Sequence, residues 1–335
     1  MYKVSILVPF FNAGKYFDRC LRSLFNQTYP LLEFIFIDDA STDDSASSIK
    51  PIIERFPNRA NCTTYIRHDK NLGVAASRNE AIDSATGDFI CFVDADDFIE
   101  PDTIQLLVEK QQENDADMVW CNALMHTDGG DHLLSEPLYK DKHEMMLIYS
   151  SMARGYLMVV WRRLIRRTLL TKHNIHCIPG YNYAEDKVLL SQIAYYTQAY
   201  GHVDKALYHY NRMNESSLVA QRNHRLRPDL FKQELYNWEF TEQFFSDKEP
   251  SYYEKAAIAK LFYLKEHLEQ ALKECSHKGF RIAVEHINAT NPAFWPAIGW
   301  NRSKLHRRLY GNYFYMKYSP LIKRPVKRIY SLIKK

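Results

Sequence analysis

The chain has 335 residues, 46% hydrophobic and 14% aromatic, a length and composition that exclude a disordered chain and suit one large α/β domain with a smaller unit beside it. The net charge of +4 conceals an asymmetry: residues 301–335 carry eleven Lys/Arg and no Asp/Glu, which leaves the preceding residues at −7. Six scattered cysteines with no C-x-x-C pair argue against a disulfide framework or zinc site and for a reducing, cytosolic compartment, and no run reaches the ~20 apolar residues of a membrane helix.

The N-terminal Met1–Pro9 is too short an apolar run for a signal peptide and reads as a strand, Val4–Val8, ended by Pro9. Phe17, Cys20, Leu21 and Leu24 repeat at helical spacing within Tyr16–Phe25. A second strand, Phe34–Ile37, runs into Asp38 and Asp39, and Ser41, Thr42 and Asp43 supply N-cap chemistry for a helix through Phe56. Then follow a strand at Thr63–Ile66, a helix at Val74–Ser84, a strand at Phe89–Val93, a helix at Pro101–Asn114 with Pro in its first turn, and a strand at Met118–Cys121. This alternation predicts a mostly parallel, twisted sheet flanked by helices, with right-handed crossovers. Residues 128–217 are less regular. They hold a Gly129-Gly130 turn, a short strand at Met158–Trp161, a loop through Pro179-Gly180, a helix over Ala184–Tyr195 and a strand at Val203–Tyr210. From Pro228 the pattern is helical, with Ala257, Leu261, Leu264, Leu268, Ala271 and Cys275 on one face.

Chemistry concentrates where apolar strands end in acids. Phe89–Val93 stops at Asp94, Asp96 and Asp97. Buried carboxylates need a compensating charge, and ligands gather at the carboxyl ends of parallel strands. Asp-x-Asp there suits Mg2+ or Mn2+ bridging to substrate phosphates; a solvated turn before the next helix explains the same residues equally well. Asp38-Asp39 ends a neighbouring strand, so Asp39 can share a cleft with Asp94 and Asp96 and accept a hydrogen bond from a base N–H or a ribose hydroxyl, or else cap a helix. In Asn71–Asn79, Gly73 precedes a helix and Arg78 lies just over one turn inside it, within reach of a phosphate or base or of a simple surface ion pair. There is no G-x-G-x-x-G after the first strand, no P-loop, and neither acidic strand end completes the D-x-D-x-[TV] of a haloacid-type phosphotransferase.

The ordered set V-S-I-L-V-P-F-F-N (4–12), S-L-F-N-Q-T-Y (23–29), F-I-D-D-A-S-T-D (36–43), N-L-G-V-A-A-S-R-N (71–79) and G-D-F-I-C-F-V-D-A-D-D (87–97) resembles the family 2 glycosyltransferases of the GT-A fold. V-W-R-R-L (160–164), A-E-D-K-V-L-L (184–190) and Y-H-Y-N-R-M-N-E-S-S-L (208–218) extend the likeness toward bacterial enzymes that build capsular polysaccharide, exopolysaccharide or lipopolysaccharide. The resemblance implies a GT-A domain over residues 1–220, with a nucleotide half to about 122 and an acceptor half from 123. A helical extension over 221–299 and a basic aromatic tail over 300–335 would follow. It implies Pro9 and Phe10 at the edge of the nucleotide pocket, Asp39 on the uracil of a UDP-sugar, and Arg78 near the nucleotide. Asp94 would face ribose and donor sugar, Asp96 would hold Mn2+ or Mg2+ on the diphosphate, Asp186 would be the catalytic base, and Arg212 would contact the diphosphate. Asp38, Asp97, Glu185 and Arg163 would play supporting roles. Two departures stand out: Ala40 where relatives often have Gly, and Arg163 where they often have Lys, a change of reach and geometry.

The implied reaction is metal-assisted, inverting transfer of a hexosyl or N-acetylhexosaminyl group to a hydroxyl of a saccharide acceptor carried on a polyprenyl lipid. The tail mixes eleven cations with aromatics such as Tyr310, Phe314 and Tyr330, which suits an anionic membrane surface. That places the protein in the cytoplasm, peripheral on the inner face of the cytoplasmic membrane, with no nucleic-acid partner. Two alternatives remain at this level. A nucleotidyltransferase would need a Gly-rich N-terminal loop with Arg and Lys, which Asn12-Ala-Gly-Lys15 matches poorly. A non-catalytic sugar-nucleotide or membrane-binding subunit would have no use for Asp96 and Asp186.

Overall fold

The computed structural model describes residues 1–151, 158–214, 228–273 and 277–299; the basic tail lies outside them, as does Cys275. The strands are β1 (Val4–Phe10), β2 (Leu32–Asp38), β3 (Thr63–Arg67), β4 (Phe89–Phe92), β5 (Phe98–Ile99), β6 (Met118–Thr127), β7 (Gly130–Leu134), β8 (Arg163–Arg166) and β9 (Tyr200–Asn211). The helices are α1 (Phe17–Phe25), α2 (Ser45–Arg55), α3 (Pro57–Ala60), α4 (Val74–Ser84), α5 (Thr103–Asn114), α6 (Lys142–Ser151), α7 (Arg167–His173), α8 (Glu185–Tyr196), α9 (Pro228–Phe245), α10 (Pro250–Lys273) and α11 (His277–Ala289). The chain divides into two compact units, Met1–Asn223 and His224–Lys335.

The first unit is a mixed α/β sheet in the order β3-β2-β1-β4-β8-β6-β9-β5, with β7 paired to β6 as a hairpin. Strands β3, β2, β1 and β4 are parallel, as the β-α repeat requires. Beyond β4 the sheet turns antiparallel through β8, and β6 and β9 run parallel to one another. β1, β2 and β4 are buried along their whole length, which is why they read as continuous apolar runs rather than alternating ones. Phe17, Cys20, Leu21 and Leu24 of α1 are all fully buried against this sheet, and Phe25 stacks on Phe34 at 4.7 Å.

Several boundaries differ from the expected ones. The strand expected at Met158–Trp161 runs instead over Arg163–Arg166, and Trp161 makes only an isolated bridge to Phe92. The reason lies in the two arginines: Arg162 has φ +63°, and both guanidinium groups are fully buried on Glu136. Of Ser41, Thr42 and Asp43, only Asp43 reaches the next helix, which begins at Ser45: its Oδ1 accepts from the Ser45 amide at 3.0 Å. The three residues form a turn tied to Asn12, whose Oδ1 accepts from the Thr42 and Asp43 amides. That helix ends at Arg55, and Pro57 opens the short α3. Strand β5 is only two residues long and β7 is exposed, so neither carries a readable period; helix α6 buries Met145, Met146, Tyr149 and Ser150 at helical spacing, and the sequence reading missed it.

In the second unit α10 packs against α9 and α11. Leu261, Leu264, Leu268 and Ala271 join Phe231, Leu235, Phe280, Ala283 and Ile287 in one core, so the helical spacing of those residues identified the buried face.

Candidate active site

Strands β1, β2 and β4 end on one edge. In register, Phe10 lies beside Asp38 and Leu7 beside Phe92, so Asp39 and Asp94 leave the sheet at the same edge, on either side of β1. Pro9 is buried at the end of β1, and the Phe10 ring packs into the core on Phe17 at 4.6 Å; what Phe10 offers the edge is its carbonyl, which accepts from the Asp39 amide at 2.9 Å.

The two acids after β2 do different work. Asp38 is fully buried; its Oδ1 accepts from the Ser41 amide (2.7 Å), its Oδ2 from Tyr65 Oη (2.8 Å) and Arg67 Nη1 (2.6 Å). Burial alone would raise its pKa, but these donors outweigh burial and lower it. Asp38 therefore fastens β3 and the turn to β2. Asp39 points to the other side. Its Oδ1 accepts from the Leu72 amide and faces His68 Nδ1, and its Oδ2 accepts from the Gly73 amide, each at 2.7 Å. Gly73 has φ +90°, and a Cβ there would fall inside the Asn182 amide, whose Oδ1 accepts from Ala75 N at 3.1 Å.

Arg78 is almost fully buried. Its Nη1 pairs with Glu185 at the start of α8, and its Nη2 lies 3.2 Å from Asp94 Oδ1. It also acts electrostatically on Asp186, so one guanidinium pairs with two carboxylates and is felt by a third. Burial pushes Glu185 up to about 7, with the Asp186 charge adding to it and Arg78 opposing. Asp186 is raised in the same direction, again chiefly by burial.

The three acids after β4 also separate. Asp97 is fully buried, accepting from Tyr208 Oη at 2.6 Å and the Asn211 amide at 2.7 Å, which locks the turn to β9. The same tyrosine oxygen accepts from the Asp94 amide at 3.1 Å. Asp96 is half-buried, accepts from Asn214 Nδ2 at 2.8 Å, and is pushed up to about 6 by burial and the charge of Asp94. Asp97 is raised well above the carboxylate range by burial and both neighbouring acids. Arg212 follows β9 at this end, its amide donating to His126 O and its guanidinium lying beside Tyr210.

A continuous set of contacts thus runs from Asp39 through Gly73 and Asn182 to α8, and from Glu185 through Arg78, Asp94 and Tyr208 to Asp97. Arg163 lies outside it: its guanidinium donates to Glu136 at 2.6 Å and to Val159 O at 2.8 Å in a buried cluster with Tyr139 and Tyr149. Sequence reasoning missed His68, Asn182, Tyr208 and Asn214. Tyr208 and Asn214 lie within the 208–218 motif, which was the signal that could have found them; His68 and Asn182 lie in loops and carry no local signal.

Among the described residues, no group of three or more His, Cys, Asp or Glu side chains is arranged to hold a metal ion. A divalent cation would fit here only with Asp96 as the protein ligand and substrate oxygens completing the shell, the habit of Mg2+ and Mn2+ beside phosphates. The crowding of Asp94, Asp96 and Asp97, which raises the pKa of Asp96 and Asp97, is the negative charge such an ion would relieve.

The family model described as Glycosyl transferase family 2 matches residues 5–177. YibD of Escherichia coli, named as a glycosyltransferase, is 31% identical over 223 residues, covering 64% of this chain and 62% of that protein, so the match spans less than two thirds of YibD. EpsH of Bacillus subtilis is 31% identical over 252 residues, covering 73% of this chain and 69% of its own. Residues 1–349 of Staphylococcus aureus TarS, solved with UDP-GlcNAc, superpose with a TM-score of 0.67 at 20% identity over 96% of this chain and 92% of that one. The mannosyltransferase PcManGT of Pyrobaculum calidifontis, solved with GDP-Man and Mn2+, gives a TM-score of 0.55 at 17% identity over 96% and 87%. At these identities the likeness is one of fold.

Proposed function

The chain belongs to glycosyl transferase family 2, and from that premise we propose that it transfers a sugar, with inversion, from a UDP-sugar to a hydroxyl of a saccharide acceptor. The observation that carries this reading is the Arg78 bridge, which holds the Glu185–Asp186 helix start against Asp94 at the end of β4. It gathers a base and a donor contact across one cleft.

In this reading Asp39 accepts a hydrogen bond from the base and Asp94 contacts ribose and donor sugar. Asp96 faces the diphosphate, and Arg212, just past the end of β9, contacts it as well. A divalent ion on Asp96 would supply charge stabilisation to the departing diphosphate. Asp186 takes the acceptor hydroxyl's proton; burial raises its pKa, which improves a carboxylate as a base near neutral pH. Glu185 is engaged with Arg78 and positions the helix start, and Asp97 supports the turn. UDP is favoured over GDP because TarS, the neighbour with the higher TM-score of the two, is the UDP-GlcNAc complex. Among the described residues no helix is long and apolar enough to cross a membrane; the basic tail would bring the enzyme to anionic lipid and a lipid-linked acceptor.

The test is a melting-temperature screen of UDP-, GDP- and dTDP-sugars with Mn2+, followed by transfer assays on the donor it identifies. Asp186→Asn is expected to keep UDP affinity within about threefold and to lower turnover by about 10²–10⁴-fold. Near-wild-type turnover would remove Asp186 from the base role. Flotation of full-length protein with anionic liposomes, matched against a chain ending at Gly299, checks the tail; equal flotation would refute that part.

A further inference from the structure

Sugar transfer leaves one part of this edge unexplained, the frame around Asp39. The His68 ring is buried, with Nδ1 at 2.7 Å from Asp39 Oδ1 and Nε2 at 2.7 Å from Glu80 Oε2. A neutral imidazole has one N–H and one lone pair, so between two carboxylates it would turn that lone pair on one of them; only the imidazolium satisfies both. Burial lowers the pKa of His68, but its hydrogen bonds to Asp39 and Glu80 outweigh burial and raise it. Asp39 from β2 and Glu80 from α4 are the charged groups facing the ring. Arg67, before it, is engaged with Asp38 and the Ser41 carbonyl, and Asp69 and Lys70, after it, are exposed.

The acceptor capacity of Asp39 is therefore nearly used up. Oδ1 takes both His68 and the Leu72 amide, and Oδ2 takes the Gly73 amide, which leaves one lone pair, on Oδ2.

We propose that His68 is a positioning residue: as an imidazolium clamped between Asp39 and Glu80, it fixes the Asp39 carboxylate so that Oδ2 offers one acceptor to the nucleobase. The site thereby selects bases that present a ring N–H, such as uracil, over cytosine, whose corresponding ring nitrogen is itself an acceptor. The inference rests on the reading that Asp39 meets the base, and adds what holds Asp39 and what that selects. Discrimination is full while His68 is protonated. It falls as pH rises through the raised His68 pKa, when one of the two contacts becomes a lone pair against a carboxylate.

The test measures UDP and CDP affinity by calorimetry on the full chain from pH 6.5 to 8.5 at fixed Mg2+. The UDP-to-CDP ratio is the readout, because diphosphate, ribose and metal contributions cancel in it. Wild type is expected to prefer UDP by at least about tenfold at the acid end, with the preference declining as pH rises. His68→Gln should bring the ratio to within about threefold and flatten its pH profile. Glu80 is 41% exposed, so Glu80→Gln folds even where the buried change does not; it should move the decline to lower pH. Asp39→Asn separates the two claims. A ratio unchanged by Asp39→Asn overturns the reading that Asp39 meets the base, as does an absence of UDP binding. A ratio collapsed by Asp39→Asn, but wild-type in size and pH profile in both His68→Gln and Glu80→Gln, overturns the role of His68 alone.

Discussion

Two strands of the same sheet end in acids, and the two ends are built in opposite ways. After β2, Asp38 and Asp39 each meet three donors: Ser41, Tyr65 and Arg67 on one, His68 and the Leu72 and Gly73 amides on the other. After β4, Asp94, Asp96 and Asp97 crowd together with two amides, the Tyr208 hydroxyl and the Arg78 guanidinium as donors and Arg19 acting at longer range, and Asp96 rises to about 6. At the first end the carboxylate oxygens are nearly all engaged in the folded chain, with one acceptor position left on Asp39 Oδ2. The second carries unrelieved negative charge, which favours binding a cation. Identical side chains on one sheet edge thus carry different charge balances, and the difference lies in the donors that tertiary contacts deliver.

The contrast breaks most visibly at Asp38. We expect Asp38→Ala to cost about 2–4 kcal/mol in urea denaturation, because it leaves a hole at a fully buried site, takes the acceptor from the Ser41 amide and releases Tyr65 and Arg67, which are partly exposed, from the end of β2. A loss below about 1 kcal/mol would contradict that role. Gly73→Ala comes next, at about 1–3 kcal/mol, since it combines a positive φ with a clash on Asn182; weaker UDP binding should accompany it. Asp96→Asn is expected to run the other way, stabilising the protein at pH 8 by about 1–2 kcal/mol after allowance for its partial exposure, while losing metal-dependent UDP affinity by at least about tenfold. Destabilisation with unchanged affinity would show that Asp96 is a structural acid.

The two ends should also differ in pH dependence. Asp38 has a lowered pKa, so its contribution is present above the ordinary carboxylate value and lost as pH falls through the folded one. Asp96 is raised to about 6, so its contribution is full below the unfolded value of about 3.9 and lost as pH rises through about 6. Asp94→Asn removes a neighbouring charge and should move that second midpoint down by about one pH unit, read from stability against pH without metal; an unmoved midpoint would leave burial as its sole cause.

Much of the architecture was legible because it is written in local periodicity. β1, α1, β2, α4, β4 and α5 each declare themselves in an apolar run or a helical stripe, and the order of acidic strand ends follows from them. The strand near Trp161 was misplaced because its first residue, Arg163, looks like a surface cation; only Glu136, distant in sequence, makes it a buried one. Phe10 read as a pocket residue, yet its ring belongs to the core and only its carbonyl reaches the edge.

By itself the sequence determined the α/β repeat, the family resemblance and the chain positions of Asp39, Arg78, Asp96 and Asp186. Those follow from composition and spacing, which a linear chain carries explicitly. The tertiary structure decided which acids are partnered: that Asp38 is spent on Arg67, Glu185 on Arg78, Asp97 on Tyr208, and that His68 stands between Asp39 and Glu80. Charge and hydrogen bonding act through space over a few ångströms, between residues as far apart as Arg78 and Glu185. No pattern along the chain records which donors will arrive at a given carboxylate.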